Sequence, residues 1–394
     1  MTDNIQKFSP ELLTQSKKQR LDFFKDSNRT MMHRNLKIAY DRTYSNIHEP
    51  AGASITLVIG PSGAGKTTLL RLLEKNILEE SFTKMVADPG WIPIVCTEAI
   101  APGKDTFRWK NFYQRTLMAL DEPGIDHKIN YELDGISRNN EGKLSVGSRA
   151  TEDALRLALE KALSHRRPHT LAVDEFQDIG KMASQQVLES HLDTVKSMVN
   201  CTKIPWTGFG TYQLQKFLEL SPQLSRRTKI IHLQRYRLEF DKDIKEFKRT
   251  LWYFQSRMPL HQMPPLEQKY WEFCYEQCIG CIGTLKDWLT NALALALEEK
   301  ATTLTLEHLT QTARLSSECF QMAQDAIEGE ERLADSEKKR KELRELLGLD
   351  KKNNKGSGGH NQQQKDALQA QNQKKKKKDV GKRNPKRDSV GGVD

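Results

Sequence analysis

The octapeptide GPSGAGKT spans residues 60 to 67 and satisfies the G-x-x-x-x-G-K-T pattern at every position. That pattern suits the holding of a polyphosphate. Gly60, Gly63 and Gly65 let backbone N–H groups turn inward without a Cβ in the way, and Pro61, Ser62 and Ala64 complete the loop. Lys66 is placed to reach the β and γ phosphates, and the Thr67 hydroxyl, with Thr68 beside it, to hold Mg²⁺. The helix expected next would turn its positive N-terminal end toward the same anion. ATP with Mg²⁺ is the expected ligand pair.

Further along, HTLAVDEFQD ends an apolar run on Asp174 and Glu175. Ligands of open α/β sheets bind at the carboxyl ends of the strands. Asp174 therefore suits the magnesium shell, directly or through water. Glu175 suits the orientation or deprotonation of the water that attacks the terminal phosphate. Asp178 reads as a helix cap or a surface residue. Thr211, after the next apolar run in WTGFGTYQL, is a candidate contact for the γ phosphate or its water, with Thr207 as its competitor. Arg226 and Arg227 precede the last strand-like run. One of them, Arg227 before Arg226, could reach across a subunit boundary and neutralise charge on a neighbour's ATP. The plain alternative is a solvated pair or a salt bridge.

These residues need strands that end on them and helices that cover the strands. Short apolar runs over 55–59, 91–96, 169–173, 206–209 and 229–233 read as five strands. Helical patterns lie between them, including one from Lys66 onward, ATEDALRLALEKALSHR and QQVLESHLDTVKSMVN. Strands alternating with helices predict a mostly parallel five-stranded sheet covered on both faces. Residues 121–148 are polar and turn-rich, and read as an extended surface loop or small insertion. Helical patterns dominate from Lys242, with breaks near 259–265 and before Thr305, and end in a charged helix with Leu333, Leu343, Leu346 and Leu347 available to pack. The expected organisation is a helical lead-in over 1–50, packed on the surface, an α/β P-loop core over 51–240, a small all-helical domain over 241–350, and a basic tail over 351–394. The tail, with its KKKKK run, has too few apolar residues to offset ordering and is expected to be disordered.

Charge is informative once localised. Of 62 Lys/Arg and 52 Asp/Glu, thirteen and four lie in 351–394, which leaves 49 against 48 for the rest. The excess thus belongs to the tail, which reads either as a solubilising extension or as a tether to a polyanion. No stretch approaches the length of apolar residues that spans a bilayer. The start, MTDNIQKFSPELL, lacks the apolar run of a secretory signal, so no membrane partner and a bacterial cytoplasmic location are expected. Cys274, Cys278 and Cys281 invite a zinc reading, but a fourth ligand is not obvious. Their segment has helical spacing, which favours packing.

The order of P-loop, acidic pair, polar strand end, paired arginines and helical domain resembles that of AAA+ ATPases. Looser strings extend the resemblance, over roughly residues 20–325, to the TniB/TnsC group of transposon ATPase regulators. They are Arg29-Thr30-Met31-Met32-His33, Gly147 to Ala150 with Asp153-Ala154-Leu155-Arg156, and Arg166-Arg167-Pro168. Gly208-Phe209-Gly210-Thr211 with Leu214, Gln223-Leu224-Ser225-Arg226-Arg227, and Ile279-Gly280-Cys281-Ile282-Gly283-Thr284-Leu285 complete the set. The resemblance implies an ATP-dependent homo-oligomer, a ring or helical filament on duplex DNA. That assembly would link a transposase to a target-selector protein or an RNA-guided, CRISPR-associated complex, and hydrolysis would dismantle or reposition it. It also implies that the loops after the second strand and after the acidic pair face the DNA. Lys104, Arg108 and Lys110, then Lys181 with Ser184, are the candidate phosphate contacts there. The sequence departs from many AAA+ proteins in lacking an arginine in CIGCIGTLKDWL, where Lys286 is the available substitute. Two alternatives keep the same phosphate residues: a helicase or replication loader of the same superfamily, and an ATP-binding scaffold with little hydrolysis.

Overall fold

Alternation along single strands shows how the sheet is covered. In β1 (Ile55–Ile59) the side chains of Ile55, Leu57 and Ile59 join one buried cluster, while Val58 joins another on the opposite face. In β5 (Thr170–Asp174) Leu171 and Val173 face the first cluster and Ala172 the second. This is the two-residue period of a pleated strand buried on both sides. The computed structural model describes residues 6–26, 30–103, 106–120, 136–138, 144–146, 151–220, 222–334 and 337–349.

The main sheet has the order β2-β5-β6-β1-β7, with β2 (Ile94–Glu98), β6 (Trp206–Gly210) and β7 (Thr228–His232), and every pairing in it is parallel. β2 begins three residues later than the apolar run suggested. Pro93 cannot donate to a ladder, and the chain joins the sheet just after it. One face is covered by α4 (Trp109–Leu120), α5 (Glu152–Arg166) and α6 (Gln185–Thr202). α2 (Arg34–His48) and α3 (Lys66–Ala87) cover the other. Within 121–148 a two-stranded antiparallel ribbon pairs β3 (Ile136–Arg138) with β4 (Leu144–Val146).

The N-terminal segment is more than a surface lead-in. It opens with a 3-10 turn (Pro10–Thr14), and α1 (Lys17–Lys25) starts anew after it, because Ser16 and Gln19 form a reciprocal capping box. α1 packs Phe24 into the helical cluster formed around Phe247, Leu251 and Trp288, while α2 packs Leu36, Ala39 and Ile47 against the sheet. Apolar spacing places residues on a helix face but does not say which layer that face will meet.

Beyond β7 the chain is helical. Short α7 (Gln215–Leu220) and α8 (Pro222–Arg227) precede β7, and α9 (Asp241–Gln255), α10 (Leu266–Lys269) and α11 (Trp271–Cys278) follow it. α12 (Ile282–Glu298), α13 (Leu306–Gln311) and α14 (Ser316–Leu333) come next. The prolines between 259 and 265 interrupt the helices as expected. Cys274, Cys278 and Cys281 are fully buried, and burial pushes the Cys274 and Cys281 thiols up to about 12. Thiols held protonated in an apolar core pack as small hydrophobes. Residues up to Leu333 make one compact unit, and Leu333 packs against its core. The unit from Ala334 onward contains α15 (Glu337–Leu346), on which Leu343 and Leu346 are exposed, as is Leu347 just after it. The tail over 351–394 lies outside the described residues.

Candidate nucleotide and hydrolysis site

β1 ends at Ile59, and the chain turns through Gly63 and Gly65 into α3, whose first residue is Lys66. Gly65 caps that helix at φ 102 and Gly63 has φ 73, left-handed conformations that a side chain disfavours. At Gly63 space is a second constraint, since a Cβ would lie 1.9 Å from Thr284 Oγ1. The reason is a direct junction. The Gly63 carbonyl accepts from the backbone N–H groups of Gly283 (2.8 Å) and Thr284 (3.2 Å), at the N-terminus of α12. The phosphate loop and the helical half are thereby hydrogen-bonded to each other.

Lys66 is 7% exposed, and its Nζ donates to the carbonyls of Gly60 (3.1 Å) and Pro61 (2.9 Å). Burial is the main influence on its pKa and lowers it, against the charges of Glu175 and Asp174. Thr67 Oγ1 donates to Asp174 Oδ2 at 2.8 Å, and Asp174 Oδ1 accepts from the Glu175 N–H at 3.0 Å. A hydroxyl and a carboxylate in contact are hard oxygen donors of the kind that fit Mg²⁺. These two would hold the ion, which would supply charge neutralisation on the phosphates.

Glu175 adopts a left-handed backbone (φ 49) and opens a 3-10 turn, Phe176–Gly180. Its carboxylate accepts from Gln177 Nε2, and Gln177 Oε1 accepts from the Thr211 N–H at 3.1 Å. Thr211 Oγ1 is buried without a hydrogen-bond partner. Thr207, its competitor, lies inside β6 and pairs with Thr170 at 2.9 Å. Gly60 N–H donates to the Gly210 carbonyl at 3.2 Å, which ties the phosphate loop to the strand end that carries Thr211.

A cavity of about 770 Å³ opens on the phosphate loop and Glu175, with Asp174, Gln177 and Thr211 behind its wall. Residues 62 to 68 and Glu175 line it, with Phe23, Phe24, Met31 and His33 from the N-terminal segment, Tyr253 and Arg257 after it in sequence, and Lys286 and Asn291 from α12. Lys286 aside, sequence reasoning missed these walls and Gln177. The signal that could have found Gln177 is an amide two residues beyond the acidic pair, before a strand that ends in glycine. Lys286, which stands where many AAA+ proteins carry an arginine, lines the cavity. Its Nζ donates to the Lys25 carbonyl at 3.3 Å, and burial lowers its pKa.

The other candidates lie away from this cavity. Arg226 and Arg227 end α8, are exposed and do not line it, and Arg227 Nη1 donates to Asn200 Oδ1 at 2.9 Å. Arg108 borders a smaller cavity of about 360 Å³ beyond β2, and Lys110 falls in the first turn of α4. Lys181 is exposed and pairs with Asp178 at 3.8 Å, while Ser184 caps α6. Lys104 lies outside the described residues, as do Arg29 and 147–150.

His33 offers a stability test. Its Nδ1 accepts the Leu36 N–H at the start of α2 and lies 3.1 Å from Tyr236 Oη, so the buried ring serves as a neutral acceptor. Burial, helped by Arg34, brings its pKa down to about 4 from 6.5. Between those values the unfolded chain binds a proton that the native one refuses. Stability is therefore complete above pH 6.5 and is lost as pH falls toward 4, by about 3 kcal/mol for this group. Thermal unfolding across that range should show a smaller fall in Tm for His33→Asn, which keeps a capping acceptor, than for the native chain. An identical fall in the two would remove His33 as a contributor.

Among protein families, a model described as an AAA domain matches residues 48–218. Two curated relatives are the beta-(1→2)glucan export ATP-binding/permease proteins NdvA of Agrobacterium fabrum and of Rhizobium radiobacter. Each is 24% identical over 193 residues, which is 42% of this chain and 32% of that protein. The chain thus spans about a third of the length of the curated relatives it matches. Among solved structures, the ORC2 protein of Aeropyrum pernix in its ADP form aligns at 16% identity and a TM-score of 0.48, covering 75% of this chain and 72% of that one. The ORC1 protein of Aeropyrum pernix in complex with DNA aligns at 15% and 0.48, covering 76% and 70%. The RuvB Holliday junction branch migration motor of Thermotoga maritima aligns at 14% and 0.36, covering 74% and 72%.

Proposed function

We propose that the chain, whose residues 48–218 match an AAA domain model and carry a Walker-type ATPase site on the α/β AAA+ fold, couples ATP hydrolysis to assembly on duplex DNA. The observation that carries the reading is the direct contact of Thr67 with Asp174, with Glu175 next in the chain and Lys66 buried behind. In this reading a water oxygen attacks the γ phosphorus and gives a proton to the Glu175 carboxylate. The bond from that phosphorus to the β-phosphate oxygen breaks, and its electron pair leaves with ADP. Lys66 neutralises part of the charge that moves, and a magnesium ion, which Thr67 and Asp174 would hold, would supply the rest.

The DNA part rests on the chain's own charges. Arg108, Lys110 and Lys181 lie in or beside the segments that follow the second strand and the acidic pair, and the tail over 351–394 carries a surplus of lysine and arginine. Such contacts position a duplex without reading its bases. The finer reading is a transposition regulator that joins a transposase to a target selector in a bacterial cytoplasm, supported by the TniB/TnsC-like strings. A replication-type loader keeps the same core and differs in its partner.

Electron microscopy of the purified chain with duplex DNA and a nonhydrolysable ATP analogue tests the proposal. A ring or filament that needs both ligands is expected. Dispersed particles under all conditions, with no DNA retention in a filter assay, would overturn it. Capture of a transposase rather than a helicase by that assembly would decide between the finer readings.

A further inference from the structure

We propose that Gln177 is a positioning residue for hydrolysis, whose single amide sets the Glu175 carboxylate and the Thr211 backbone in one fixed relation. The inference rests on the reading that the site hydrolyses ATP. An amide has one donor end and one acceptor end. Here the partners leave no choice of orientation. The Glu175 carboxylate only accepts, so it takes the NH₂ end, and the Thr211 N–H only donates, so it takes the oxygen at 3.1 Å. Gln177 is 8% exposed, and both bonds are partly shielded from solvent.

The surroundings are shaped for that amide. Gly210 precedes Thr211, and a Cβ there would lie 2.3 Å from Gln177 Oε1, so the strand must end in glycine for the bridge to form. Glu175 enters the turn with a left-handed backbone, which brings a side chain two residues later back toward it. With Oε2 of Glu175 engaged by Gln177, Oε1 is the carboxylate oxygen assigned to the attacking water. Thr211 Oγ1, buried and unpartnered, is the polar atom that a phosphate oxygen or its water can satisfy. A shift of Thr211 on contact with that group would pass through the amide to the carboxylate two bonds away. Base orientation and phosphate contact are thus one unit.

The test is ATPase kinetics of the full chain, with ATP binding and Tm measured alongside. Gln177→Leu removes both bonds, and Gln177→Asn shortens the amide so that it cannot span its two partners. Each is expected to lower kcat by about 10- to 100-fold, the scale of a small misplacement, with KM for ATP little changed. In single-turnover measurements Gln177→Asn should add nothing to Glu175→Gln, because it acts through that carboxylate. If Gln177→Leu fails to fold, the Asn variant carries the test. A kcat near the native value in Gln177→Asn, or a loss that multiplies in full on the Glu175→Gln background, overturns the proposal. If the native chain does not hydrolyse ATP, the underlying reading fails first. If it does, and Glu175→Gln abolishes turnover while the Gln177 variants match the native chain, the present inference alone falls.

Discussion

Glu175→Gln is expected to reduce ATP turnover by about 10²- to 10⁴-fold, the usual contribution of a general base, while the nucleotide still binds. The isosteric amide keeps the volume and can still hydrogen-bond, but it cannot take a proton. Binding should survive because the phosphate loop, Lys66 and the Thr67–Asp174 contact do not depend on the changed carboxylate. Steady-state phosphate release and equilibrium binding of a fluorescent ATP analogue separate the two effects. Turnover unchanged to within a few-fold would favour the scaffold alternative, and lost binding would mean that Glu175 supports the loop. The trapped ATP state should also prolong any assembly on DNA, which gives a second readout on the same variant.

Glu330→Ala is expected to cost about 3–5 kcal/mol of stability, the range for removing one partner of a buried ion pair. Arg235 donates to both Glu330 oxygens, at 2.8 and 3.1 Å, and the side chains are 9% and 10% exposed. Burial works against the Arg235 charge, and Glu330 is the largest influence that restores it. Its other nitrogen donates to Tyr275 Oη and the Ile279 carbonyl, so the guanidinium cannot leave without vacating four bonds. Arg235→Met with Glu330→Leu should recover most of the loss, since neither residue then strands a charge. Urea unfolding of the two variants decides it; equal stabilities would show that packing of α14, rather than the charge, is at stake. The location gives the pair functional weight. Gly329 beside it lies against the Tyr212 ring, one residue from Thr211, and its carbonyl accepts from Gln215 Nε2 at 3.0 Å. Loosening α14 is therefore expected to lower hydrolysis as well.

Much of the candidate site could be read from the chain itself. Gly60 to Thr67 form a local device: a strand, a loop with two left-handed glycines and a helix start, all set by neighbours in sequence. Asp174 and Glu175 were legible because an apolar run delivers them to a strand end, and parallel strands end on the same edge. That the sheet is covered on both faces was legible because helical patterns alternate with short apolar runs. The helices of the second half announced themselves through their spacing and the prolines between 259 and 265.

What tertiary structure alone decided concerns partners far apart in sequence. Spacing does not say that Phe23, Phe24, Met31 and His33 wall one cavity with Tyr253 and Arg257. It marks Gly63 as a loop glycine, but not that the backbone of α12 is hydrogen-bonded to its carbonyl. It shows Arg235 and Glu330 as two ordinary charges, and Gln177 as one more polar residue in a turn. A residue's own preferences act over a few neighbours, whereas these pairings depend on how complete layers stack. Phosphate recognition is therefore a property of the sequence around Lys66, and its connection to Glu175, Thr211 and the helical half is a property of the folded chain.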